Sequence, residues 1–95
     1  MVVSMIQLLI ELPPIGSIKE KRRIVSSLKE KLYQKFRMSV AEVDLLDSLH
    51  YAQIGAALVS NSKAFGESVM QKALALVENR VQGRLENAEI FSETY

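Results

Sequence analysis

Twenty-three of the 95 side chains are charged, and those of positive sign are concentrated in one stretch. Between Ser17 and Arg37 stand Lys19, Lys21, Arg22, Arg23, Lys29, Lys31, Lys35 and Arg37 against only Glu20 and Glu30, so this segment carries +6 and the remainder of the chain −5. Lys and Arg gathered along one helix are the footprint of contacts to a phosphate backbone. On this reading Lys19, Arg22, Arg23, Lys29 and Lys31 are the nucleic-acid-binding candidates, with RNA as the partner. A solvated helix surface uses the same residue types, and the set lacks an interleaved aromatic reader.

The carboxylates suggest a second chemistry. Glu42 and Asp44, close in sequence, could transfer protons if a pocket and a substrate-orienting group accompanied them. No pattern around them marks a pocket, a nucleophile or a substrate-orienting group. With no Cys, disulfides, thiolate metal sites and Cys nucleophiles are excluded, and the single His50 cannot make a His cluster, so neither metal-dependent nor Ser-His-Asp chemistry is expected. The expectation is a protein with no catalytic residues, no metal and no cofactor.

The elements that must position these groups follow from periodicity. Residues 2–12 alternate Ile6, Leu8, Ile10 and Leu12 against Met5, Gln7, Leu9 and Glu11, as a strand with one better-buried face does. This apolar opening lacks a basic leader and falls short of the roughly 20 residues that span a bilayer. A cytoplasmic protein with no membrane association is expected. Pro13-Pro14-Ile15-Gly16 ends the pairing, and Ser17 with Glu20 forms a capping box that starts a helix at Ile18. Ile18, Val25, Leu28, Leu32 and Phe36 make its apolar stripe, with Ile24 and Tyr33 at the edges. Lys21 lies inside that stripe, where it either snorkels past the sheet edge or meets a carboxylate.

Residues 38–45 predict a second strand that turns Ala41 and Val43 inward and Val40, Glu42 and Asp44 outward. After a short connection, residues 50–60 predict a third, with Ala52, Ile54, Ala56 and Leu58 on its inner face and Gly55 making room for a large neighbour. Ser60-Asn61-Ser62 caps a second helix over 62–81, striped by Phe65, Val69, Ala73, Leu76 and Val77 and stopped by Gly83. Leu85 to Phe91 is the last strand, with Ala88 and Ile90 as core positions.

The order β-α-β-β-α-β has a preferred solution. Two right-handed crossovers interleave into a four-stranded antiparallel sheet with both helices on one face, the ferredoxin-like α+β sandwich. At 95 residues and 48% hydrophobic, one domain spanning residues 1–95 around one core is expected. The uncovered sheet face would carry Glu11, Glu42, Asp44 and Glu89 together with the apolar Met5, Leu9, Val40, Val59 and Phe91. An apolar patch of that kind marks an interface. Met5, Leu9, Val40, Glu42, Tyr51, Val59 and Phe91 are therefore the interface candidates, for a homodimer or for a small ligand held at its seam.

Three blocks in register, SIKEKRRIVSSL, FRMSVAEVD and GAALVSN, make the chain similar to the YlxP-like family, a group of small bacterial proteins of unknown function. Members read close to S-L-K-E-K-R, V-S-V-A-E-V and G-V-A-V-V-S-N-D at the same places, and the resemblance spans nearly the whole chain. It implies a ferredoxin-like fold. Because members are often encoded near translation factors and ribosome-binding factor A, it also implies a ribosomal particle as partner and ribosome maturation as setting. Between the second and third strands members tend to show D-x-W-Q-R-A, where this chain has Asp47-Ser48-Leu49-His50-Tyr51-Ala52, so no role of that Trp or Arg carries over. Acylphosphatases are also similar in length and strand order, but they hold phosphate with an Arg in the first strand-to-helix loop. Pro13-Pro14-Ile15-Gly16 has none.

Overall fold

The period of two in the opening residues becomes β1 (Val2–Glu11) in the computed structural model, which describes residues 1–95. Val2, Ser4, Ile6, Leu8 and Ile10 are buried on one side, and Val3, Met5, Gln7, Leu9 and Glu11 alternate with them on the other. There follow α1 (Ile18–Phe36), β2 (Ser39–Asp44), β3 (Tyr51–Ser60), α2 (Lys63–Arg80) and β4 (Arg84–Thr94). The strands form an antiparallel sheet in the order β2-β3-β1-β4, with α1 against β2 and α2 against β1, β3 and β4. This is the expected ferredoxin-like arrangement. The first and third strands pair along their whole length, from Val2 opposite Ser60 to Glu11 opposite Tyr51.

The helix ends have local causes. Ser17 is extended and its Oγ accepts the Glu20 N–H at 3.2 Å, although the return bond from the Ser17 N–H to the Glu20 carboxylate is not made. Ser62 caps α2 in the same way, accepting the Phe65 N–H at 3.1 Å. At the other end of α1, Arg37 adopts the left-handed region at φ 57° and donates its N–H to the Tyr33 carbonyl at 2.8 Å, which turns the chain directly into β2. Gly83 turns the chain into β4 at φ 101°, where a Cβ would stand 2.1 Å from the Glu11 carbonyl oxygen.

The core lies between sheet and helices. Ile6, Leu8 and Ile10 of β1 meet Val25, Leu28 and Leu32 of α1, Ala52, Ile54 and Ala56 of β3, and Met70, Ala73 and Val77 of α2, closed by Leu12 and Met38. Burying one such Leu or Ile side chain contributes roughly 1.5–3 kcal/mol, so this cluster is the principal drive to fold. Leu58, Val69, Leu76, Ala88 and Ile90 are half-buried around it.

Two inward faces differ from the sequence expectation. In β2, Val40 lies opposite Ala56 and Glu42 opposite Ile54, both buried beneath the helices, so Val40 and Glu42 face the covered side and Ala41 and Val43 the open side. Neither Val40 nor Glu42 belongs to the open-face patch. A short strand with an aliphatic residue on each face does not by its pattern specify which side is up, and a shift of one residue inverts every side chain. A bulge then follows, since Asp44 lies opposite Gln53, the neighbour of Ile54.

In α2, Phe65 is 56% exposed and the inner line runs through Gly66, Met70, Ala73 and Val77 instead. The helix is rotated toward Gly66 because its backbone presses on β1: a Cβ at Gly66 would stand 1.9 Å from the Ser4 Oγ. Ser4 is fully buried, and its hydroxyl is satisfied at 2.8 Å by the Ser92 hydroxyl.

Gly66→Ala gains about 1 kcal/mol of helix propensity but forces β1 and α2 apart, and overpacking of this kind costs about 1–3 kcal/mol. The net expectation is a loss of about 1 kcal/mol in urea denaturation. Pairing it with Ser4→Ala, which removes the nearest atom, should recover part of that loss; strictly additive single effects would refute the close approach.

Candidate functional site

Lys21 meets a carboxylate and more. It is 1% exposed, and its ammonium donates to the carbonyl oxygens of Leu45 at 2.6 Å and Ser48 at 2.7 Å. The Leu46 carbonyl at 3.4 Å and the Glu42 Oε2 at 2.9 Å complete the cradle. Glu42 Oε2 is buried and makes no aligned hydrogen bond, so its contact with Lys21 is one of charge, and the carbonyls provide the directed bonds. An ammonium out of water costs several kcal/mol unless its three N–H groups are matched, and here they are. The connection between β2 and β3 is wound around this charge. Leu45 takes a left-handed φ of 61° with its N–H held by Asp44 Oδ1 at 2.8 Å. The Ser48 hydroxyl accepts the His50 and Tyr51 N–H groups at 3.2 and 3.1 Å.

The other cations divide by layer. The two helices with their caps hold eleven of the twelve Lys and Arg but four of the eleven acids, a layer charge of +7 against −6 for the strands and loops. Apart from Lys21 and Arg84, none of the Lys and Arg side chains has a carboxylate partner. Lys19, Arg22 and Arg23 are exposed, and Lys29 and Lys31 are half-buried on opposite flanks of α1. The five candidates are therefore not one patch.

Lys29 joins Ser26, Tyr33, Arg37 and Val40 around a hollow of about 600 Å³ beside β2, where the Arg37 guanidinium lies 6.0 Å from the centre of the exposed Tyr33 ring. This brings an aromatic face next to the cations, whereas helical spacing alone leaves Tyr33 at the edge of the stripe. Glu30 in the same hollow is held by Gln34 at 3.1 Å. Lys31 lines the other flank, the seam between the helices, together with Arg80. Farther along that seam Lys35, Lys72, Asn79 and Arg80 surround Phe36 and Leu76. Lys35, Lys72 and Arg80 are not among the sequence candidates, because no periodicity within one helix records what the neighbouring helix brings alongside it.

The open sheet face keeps five of its expected interface residues. Met5 and Leu9 are half-buried, and Tyr51, Val59 and Phe91 are 38%, 63% and 42% exposed. Met5 lies opposite both Ala57 and Phe91, and Val43 overhangs Gly55, where a Cβ would stand 3.0 Å from Val43 Cγ1. Together Met5, Ala41, Val43, Gly55 and Ala57 enclose a shallow hollow of about 320 Å³. At one edge Arg84 approaches Glu11 at 3.8 Å and bonds Glu86, holding the Glu86 carboxyl below its ordinary value. The Tyr95 phenol is raised by its hydrogen bond to Glu93 at 2.8 Å. No three His, Asp or Glu side chains converge, and no helix is long and apolar enough to cross a membrane.

A βαββαβ sandwich with a cationic helical layer and an open, partly apolar sheet face is the class of protein these features define. Residues 3–90 match the family described as "Protein of unknown function (DUF503)", and the chain belongs to that family. It is 31% identical over 64 residues to the uncharacterized protein YlxP of Bacillus subtilis (strain 168), across 67% of this chain and 70% of that protein. Among solved structures it is similar to the de novo designed protein LFR1 1 with ferredoxin fold, at a TM-score of 0.57 and 9% identity over 97% of this chain and 82% of that one. It is also similar to At3g17210 from Arabidopsis thaliana, at a TM-score of 0.52 and 13% identity over 98% of this chain and 94% of that one. At such identities the likeness concerns the fold alone.

Lys21→Met should cost about 3 kcal/mol in urea denaturation, because it leaves Glu42 and the loop carbonyls without their cation. Glu42→Gln should cost about 1 kcal/mol, since the carbonyls still hold the ammonium. Amide exchange at residues 45–49 should accelerate in the first variant only. Equal losses in the two would show that the carboxylate, not the carbonyl cradle, holds the loop.

Proposed function

We propose that the protein is a non-enzymatic cytoplasmic accessory factor that contacts structured RNA, of the kind a ribosomal precursor presents, through its helical layer. The observation that carries this reading is the segregation of charge: a helical layer at +7 whose outward cations lack carboxylate partners, backed by strands and loops at −6. Cations that are paired with their own acids have little left for phosphates; these are free to exchange water and counterions for them. The Tyr33 face beside Lys29 and Arg37 supplies a surface on which an unpaired base could stack.

A second reading, self-association through the open sheet face, is favoured by Val59 and Phe91, which leave apolar area in water beside the hollow at Gly55. The two readings use opposite faces and are compatible. A small ligand seated in that hollow would be a variant of the second.

Arg22→Glu with Arg23→Glu should weaken binding to unrelated RNA sequences alike, because phosphate contacts position without reading bases. Over a salt series by filter binding, the log-log slope should flatten by roughly 0.7–0.9 for each phosphate the variant no longer neutralises. Undetectable or salt-insensitive binding by the unmodified protein would remove the RNA reading. For the second reading, Phe91→Asp should convert a dimer in light scattering to a monomer by burying a charge without a partner; a protein already monomeric at micromolar concentration argues against it.

A further inference from the structure

We infer that the seam between α1 and α2 is a binding groove for single-stranded RNA, with Lys31, Lys35, Lys72 and Arg80 taking successive phosphates and Phe36 a base. This rests on the RNA reading above and locates it. The seam is lined along its length by cations from both antiparallel walls, Lys31 and Lys35 from α1 and Lys72 and Arg80 from α2, with no acid among its lining residues. The hollow beside β2, by contrast, includes Glu30. None of the four seam cations has a carboxylate partner, and all but the half-buried Lys31 are exposed. Four like charges brought together repel one another, and an anion in the groove relieves that repulsion.

The groove has the other features a single strand requires. Four residues of helix advance about 6 Å and eight about 12 Å, so Lys31 to Lys35 and Lys72 to Arg80 repeat positive charge along both walls. Its wide part, about 480 Å³, is within the range of sites for small ligands and offers an apolar floor of Phe36, Ala75 and Leu76. The Lys35 ammonium stands 5.9 Å from the centre of the Phe36 ring, which places a phosphate contact and a stacking surface at one step of the path. Asn79 adds polar edge chemistry, although its amide now donates to the Ala75 carbonyl at 2.7 Å. A rigid duplex reaches only the crest of the groove and cannot bring a base to its floor.

The test compares two double variants with the same change in net charge, Lys72→Glu with Arg80→Glu in the seam and Arg22→Glu with Arg23→Glu on the crest. The probes are an unstructured oligouridylate and an RNA duplex of matched length, each titrated over a salt series. The seam variant should lose at least tenfold more affinity for the oligouridylate than the crest variant, with its slope flattened by about 1.4, two phosphates at ~0.7 each for a single strand. Lys72→Gln with Arg80→Gln should show the same order with a smaller loss, and serves if the charge reversals fail to fold. Phe36→Leu should weaken the oligouridylate and leave the duplex unchanged. Equal losses in seam and crest variants, tighter binding of the duplex, or displacement of RNA by polyglutamate of matched charge would each overturn the seam while the RNA reading survives the first two. Absence of any RNA binding by the unmodified protein removes the reading itself.

Discussion

A single ammonium group holds together the connection between β2 and β3, which the hydrophobic core does not reach. Lys21 sits where an aliphatic residue would continue the stripe of α1, and its charge is met by the carbonyls of Leu45 and Ser48 and by Glu42. A buried cation is a poor source of net stability but costly to leave unpaired, which favours the arrangement that matches it. Around it β2 presents Glu42 to the helices, the strand breaks in a bulge before Asp44, and the following loop curls back over the first turns of α1. β2, an edge strand with no fully buried residue, is tied to α1 by this charge as well as by the packing of Val40.

The surface has its own order. With Lys21 and Glu42 paired inside, the outward side of α1 carries cations and few acids, while seven of the eleven acids lie on strands and loops. The resulting separation of charge across the two layers gives the molecule a direction. On the proposed RNA reading, that separation would steer a polyanion toward the helices and away from the sheet, whose open face exposes Val59, Phe91 and Val43.

The close approach of α2 to β1 has a comparable effect on the other half. Gly66 lets the helix backbone rest on Ser4, which rotates α2 until Met70, Ala73 and Val77 point inward and Phe65 outward. That rotation also brings Lys72, Asn79 and Arg80 round to the seam with α1. One glycine thus sets both the packing of the core and the composition of the groove between the helices.

The sequence by itself determined the order of elements, the ferredoxin-like sheet, the inner faces of β1, α1 and β3, the caps at Ser17 and Ser62, and membership of the family, because each is written in local periodicity, local hydrogen-bonding chemistry or blocks of residues in register. It also concentrated the cations on α1. Only the tertiary structure decided which way up β2 lies, which face of α2 is buried, and which cations share a groove. Those outcomes depend on pairs far apart in sequence, Lys21 with Glu42 and the Leu45–Ser48 carbonyls, Ser4 with Gly66, Lys35 with Lys72. In β2 and α2 the apolar residues are spread too evenly for pattern to choose a face, so steric contact and the need to satisfy one buried charge made the choice.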